Sequence, residues 1–177
     1  MNNPKVELHV SQGTQEMTKL GVITLELNPE KAPKSVANFL SYVKKGFYNG
    51  VIFHRVTPGF VIQSGAFLPG MVQKPATGLI ENEATNGLKN SKYTLAVART
   101  SLPHSGISQF FINVENNHFL DHTARTLSDW GYAVFGKVAD GFEVVDQIAR
   151  TEVRKKMGFP DVPIMPIIID KAVLISS

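Results

Sequence analysis

The sequence predicts a mainly β fold: a closed, eight-stranded antiparallel β-barrel capped by two α-helices. Three observations carry this. Short runs rich in β-branched and aromatic residues recur eight times, separated by Gly-, Pro- and Asn-rich stretches. Only two segments have the helical period, whereas a parallel α/β sheet needs a helix after nearly every strand. Eight is also the strand number at which a closed sheet fills its own interior with side chains, and closure removes exposed edges.

Taken in order, Lys5 to Val10 alternates polar and apolar residues. So does Val22 to Leu27, with Ile23, Leu25 and Leu27 on one face, and the pair reads as a hairpin with a long connection. The period changes at Pro33: Val36, Phe39, Leu40 and Val43 follow i, i+3, i+4, i+7 spacing. A helix is expected from about Pro33 to Lys45, with Lys44 and Lys45 favourable in its last turn and Gly46 as its stop. Further strands are expected at 51–56, 60–64, 93–99, 108–114, 132–138 and 167–175. A second helix at 141–149 should bury Phe142, Val145 and Ile148. The stretches 65–92, 115–131 and 151–166 read as loops. An interior filled by side chains has no room for a ligand, so any site must lie on the outer wall.

The 177 residues suit a single domain spanning 1–177. With 43% hydrophobic and 19% charged residues, the chain can bury a core. The net charge of +3, from 18 Lys+Arg and 15 Asp+Glu, is too small to indicate a nucleic-acid partner. No apolar run approaches the roughly 20 residues of a membrane helix. Cysteine is absent, which removes disulfides, thiol catalysis and Cys-ligated zinc. The N-terminal residues carry no apolar signal-peptide core, so a cytoplasmic protein is expected, or a periplasmic one if the chain is a mature form.

Two segments stand out. In Phe53-His54-Arg55-Val56-Thr57-Pro58-Gly59-Phe60-Val61-Ile62-Gln63-Ser64-Gly65, Pro58-Gly59 fits the centre of a β-turn. The flanking strands then pair with Arg55 opposite or diagonal to Gln63. In Ser108 to Val114, Phe110, Ile112 and Val114 share one face, and Gln109, Phe111 and Asn113 share the other. One set must fill the barrel. The other leaves an aromatic among amides outside, unusual for a plain solvated face.

These segments, with Val134-Phe135-Gly136-Lys137-Val138, resemble the cyclophilins, the cyclosporin-binding family of peptidyl-prolyl cis-trans isomerases. The resemblance runs from about Val22 to Val145, and the terminal strands fit too. Asn86-Gly87-Leu88-Lys89-Asn90, Ala98-Arg99-Thr100 and Trp130-Gly131-Tyr132 are similar to the bacterial branch. The resemblance implies a cyclophilin-like, cofactor-free, metal-free monomer that isomerises X-Pro bonds and assists protein folding. Its partners would be proline-containing segments of client proteins and, more weakly, cyclosporin-type cyclic peptides. By position, the catalytic Arg is Arg55. The proline pocket is Phe60, Val61, Phe111 and Leu120, with Val61 where Met is common. The amides holding the substrate backbone are Gln63 and Gln109. Ala98-Arg99 replaces an Ala-Asn pair, Phe119 replaces the groove Trp, and Tyr132 replaces the groove His; these changes concern the rim.

The chemistry agrees independently. Rotation about an X-Pro amide breaks resonance against a barrier of ~18–20 kcal/mol without making or breaking bonds, so no nucleophile or metal is needed. In the twisted state the proline nitrogen regains its lone pair, and a fixed Arg donor there stabilises that state more than the planar one. If Phe111 faces the groove, as the resemblance implies, its truncation should lower turnover and cost little stability, whereas a loss of ~3–5 kcal/mol would show a core position. Two other readings remain at this point: a proline-peptide-binding or chaperone module with incidental turnover, and a serine hydrolase, although no Gly-x-Ser-x-Gly elbow occurs. His118 and His122 have metal-like i, i+4 spacing but lie in an expected loop. Arg150, Arg154, Lys155 and Lys156 read as a solvated loop face.

Overall fold

The computed structural model describes residues 3–176. Its strands are β1 (Lys5–Gly13), β2 (Met17–Leu27), β3 (Arg55–Thr57), β4 (Val61–Ser64), β5 (Phe67–Leu68), β6 (Val72–Gln73), β7 (Thr94–Val97), β8 (Phe110–Asn113), β9 (Val134–Asp140), β10 (Val153–Lys156), β11 (Phe159–Pro163) and β12 (Ile167–Ser176). The helices are α1 (Pro33–Lys44) and α2 (Phe142–Ala149). Eight strands form one curled antiparallel sheet in the order β12-β1-β2-β9-β7-β8-β4-β3. They are the eight expected from the sequence.

Closure is less complete than expected. The edge strands β3 and β12 share no ladder. The seam is made by the chain just before β3, through a bridge between Ile52 and Ile168 and hydrogen bonds from Phe53 N to Ile167 O and from Ile169 N to Val51 O. The expected strand 51–56 therefore splits at His54: residues before it pair with β12, and those after it pair with β4. One run serves both edges, so the sheet is a barrel with a short seam.

Inside lie Val6, Leu8, Leu25, Ile62, Phe110 and Ile112, all buried. At one end Phe39 of α1 packs within 5.2–5.3 Å of Tyr48, Phe110 and Phe135, with Phe110 edge-on. Ala32, at the N-cap of α1, offers no capping side chain. Glu83, distant in sequence, supplies that function: its carboxylate accepts from Lys34 N at 3.1 Å and from Ser35 N at 2.7 Å. This contact ties the 65–92 loop to the helix.

Three expectations need correction. The β1–β2 connection is short, because both strands run on to Gly13 and from Met17. The 65–92 and 151–166 stretches each contain a hairpin, β5–β6 and β10–β11; both are too short or too irregular to show a period. Val144, not Phe142, joins Val145 and Ile148 in the core. Phe142, at the first turn, lies on the rim, 38% exposed against Tyr93. No helix among the described residues is long and apolar enough to cross a membrane.

Candidate active site

The ladders put one set of side chains on the outer wall. Arg55 pairs with Gln63, Gln63 with Phe111, Phe111 with Ala96, and Ala96 with Val134. Opposed residues in antiparallel strands share a face, so these five cross the sheet in one row. The next row, Val56, Ile62, Ile112 and Leu95, points inward. Pairing thus decides between the two faces of β8: Phe110 and Ile112 fill the barrel, and Phe111 lies outside.

On that outer face a second apolar cluster forms around Phe111, with Val61, Ala96, Ala98 and Val134 buried and Phe60, Leu120 and Tyr132 at its margin. It lines a pocket of about 100 Å3 whose polar side is Arg55, Gln63 and Arg99. Nine of the eleven residues singled out from the sequence meet here. The other two stand beside it: Gln109 accepts from Gln63 Nε2 at 2.9 Å, and Phe119, 75% exposed, stacks on Phe60 with centroids 5.6 Å apart. Phe111 is only 3% exposed, its ring edge-on to Tyr132 at 5.6 Å. Burial at this level predicts a stability cost on truncation, against the expectation of little effect, because the outer wall has its own apolar cluster.

Arg55 has no ion-pair partner among the described residues. Its guanidinium sits 5.4 Å from the centroid of Phe60, held by a ring that leaves its N–H donors free. Arg99 is used differently. It lies 4.3 Å from the centroid of Tyr132 and donates from Nε to Gly131 O and from a terminal nitrogen to Thr100 O, so it braces the rim. His118 and His122 diverge: His118 pairs with Asp121, and the ring of His122 meets Trp130 O.

The loops carrying Phe60, Leu120 and Tyr132 are fixed by three buried asparagines whose role the sequence did not reveal. Asn117 Nδ2 donates to Phe60 O and to Asn113 Oδ1. Asn113 Nδ2 donates to Asn90 Oδ1, and Asn90 Nδ2 donates to Leu120 O and Tyr132 O. The available signal was Asn113 itself, an amide on the same face of β8 as Phe111. Gly131 completes the arrangement at φ +80°, where a Cβ would lie 2.5 Å from His122 N.

His54 is 3% exposed beside Arg55. Burial, with the neighbouring Arg55 charge, lowers its pKa to about 4, so its imidazole is neutral at physiological pH. The unfolded chain, with a His pKa near 6.5, binds a proton that the native state refuses between about pH 6.5 and 4. Stability is unaffected by this group above that window and falls as pH drops through it, by up to about 3 kcal/mol. Denaturant midpoints against pH should show this decline, and His54→Gln should flatten it; an equal decline in the variant would assign it to other groups.

A model of the family described as "Cyclophilin type peptidyl-prolyl cis-trans isomerase/CLD" matches residues 13–173. The chain belongs to the cyclophilin-type peptidyl-prolyl cis-trans isomerases. This cyclophilin is 53% identical over 155 residues to peptidyl-prolyl cis-trans isomerase cyp18 of Streptomyces antibioticus, covering 88% of this chain and 93% of that protein. It is 50% identical over 153 residues to peptidyl-prolyl cis-trans isomerase B of Escherichia coli K12, covering 86% and 93%. Both relatives are bacterial, in agreement with the motifs. Among solved structures, a Cryptosporidium parvum cyclophilin type peptidyl-prolyl cis-trans isomerase matches at TM-score 0.80 and 27% identity, over 99% of each chain. A structure of that protein in the presence of the dipeptide Ala-Pro matches at TM-score 0.79, over 98% and 99%.

Proposed function

We propose that Arg55 performs the isomerisation of X-Pro peptide bonds by which this family is named. The protein is a peptidyl-prolyl cis-trans isomerase, acting on proline-containing peptides. The observation that carries the Arg55 reading is its unpaired guanidinium at the edge of a pocket floored by Phe111. The pocket holds the proline ring still, Gln63 and Gln109 engage the substrate backbone, and the segment before proline is free to rotate. As the amide twists, its nitrogen pyramidalises and accepts a hydrogen bond from Arg55, an interaction absent in the planar ground state. Lowering the barrier by ~7 kcal/mol accelerates exchange about 10⁵-fold. NMR exchange on an X-Pro peptide tests the reading: affinity without accelerated exchange would make the groove a binding module instead.

Phe119 bears on cyclosporin. Cyclosporin-sensitive cyclophilins resemble this chain but carry Trp at the matching position. Phe119 keeps an apolar face, stacked on Phe60, and lacks the indole N–H donor. An acceptor on the inhibitor left unpaired weakens binding by roughly 1–3 kcal/mol, or about one to two decades in affinity. Substrate anchored by Arg55 and the proline pocket does not use that donor. The expected result is an active isomerase weakly inhibited by cyclosporin, with sensitivity restored in Phe119→Trp. Unchanged inhibition in that variant would mean that the missing indole is not the cause and that Arg99 and Tyr132, or the 121–131 loop, reshape the rim.

A further inference from the structure

The hairpin β10–β11 is fastened to the strand that carries Arg55. Thr57 Oγ1 donates to Asp161 Oδ2 at 3.0 Å, and Val162 is buried with Ile52, Ala66 and Phe67 beneath the hairpin. Between it and the proline pocket runs a trough of about 490 Å3, walled by Phe159, Pro160 and Asp161 and lined by His54 and Phe67. The trough and the proline pocket are both lined by Arg55 and Gln63, so the two adjoin at these side chains.

The chemistry of this trough is that of a peptide subsite. Phe159 meets Phe67 edge-on at 5.2 Å and the ring of His54 at 6.2 Å, yet remains 37% exposed. His54, neutral through burial, adds an apolar ring and not a cation. The amides of Gln73 and Gln109 also line the trough and suit a peptide backbone. At the hairpin tip Met157 and Gly158 have φ of +52° and +85°. Stability alone favours Asn-Gly in such a turn, whereas here a 75% exposed Met stands in the left-handed region.

We infer that this trough is a second subsite of the catalytic groove, taking an apolar side chain two or three residues from the substrate proline, with Phe159 setting the preference. The spacing follows from reach: passing one Arg side chain takes roughly 7–10 Å, two or three extended residues. Because the trough adjoins the proline pocket at Arg55 and Gln63, the occupant is the same polypeptide that presents the proline. The inference rests on the isomerase reading above.

The test compares kcat/KM for an X-Pro tetrapeptide with that for longer peptides carrying either Leu or Ser two or three positions from the proline, on each side in turn. For one side, the Leu peptide should exceed the Ser peptide by about tenfold, mainly through KM, as expected for uniform binding of a partly buried apolar group. In Phe159→Ala that ratio should fall to about 1–2. Any unfolded fraction of the variant lowers both rates equally and leaves the ratio unchanged. No preference on either side in the parent protein, or a ratio that persists in Phe159→Ala, overturns the subsite. Failure to turn over the tetrapeptide would instead overturn the isomerase reading.

Discussion

Arg55→Ala is expected to lower kcat/KM for X-Pro isomerisation by about 10²–10³, the scale of removing one preorganised donor to a developing acceptor. The loss should fall on kcat, because the bond from the guanidinium forms as the amide twists. Peptide affinity should change much less, since Phe60, Val61, Phe111 and Gln63 remain. Arg55→Lys should not rescue turnover. The Phe60 ring holds a planar, five-donor group, and an ammonium on a flexible stem loses that orientation. Because Arg55 has no ion-pair partner among the described residues, its removal leaves no carboxylate uncompensated, and stability should stay nearly unchanged. NMR exchange rates with a thermal melt decide the matter. Turnover near that of the parent protein in the Ala variant would refute the role given to Arg55.

Phe111→Ala is expected to act on both function and stability. The ring is 3% exposed within the outer apolar cluster, so truncation should cost about 3–5 kcal/mol, as for other buried Phe residues. It should also raise KM and lower kcat together, because the proline ring loses the floor that fixes it. The two effects separate in Phe111→Leu. Leu refills much of the volume, and stability should recover to within about 1.5 kcal/mol. The flat aromatic floor is still missing, so turnover should remain depressed. Parental turnover in Phe111→Leu would mean that Phe111 only fills space. Ile112→Ala serves as the contrast: its side chain faces the barrel interior, so its loss should appear in stability alone.

The β10–β11 hairpin shows how a short element can escape a sequence reading and still pack beside the strand that carries Arg55. Its strands have four and five residues, too few for a period to emerge. Its basic residues Arg154, Lys155 and Lys156 read naturally as a solvated loop. Nothing local indicates that β11 docks beside β3, because that contact joins residues about a hundred positions apart, such as Thr57 and Asp161. The buried asparagines escaped for a related reason. Asn90 and Asn117 look like ordinary turn residues, and only their convergence on Asn113 gives them partners.

The sequence by itself determined the eight main strands and the two helices, and its resemblance to the cyclophilins indicated the candidate site. Period-two alternation marked the sheet, the 3.6-residue spacing from Val36 to Val43 marked α1, and the turn at Pro58-Gly59 brought Arg55 opposite or diagonal to Gln63, which the ladder resolves as opposite. These are local properties, carried by neighbours along the chain or across one tight turn. The alternation of β8 names two faces without saying which one the barrel encloses; the family resemblance pointed to Phe111 outside, and the packed sheet shows it. The tertiary structure alone decided that the sheet closes through a seam at Ile52 and Ile168, and that Phe111 is both pocket floor and core. Each of these depends on which distant segment arrives opposite, a choice made by packing the whole molecule against water and not by any stretch of the chain alone.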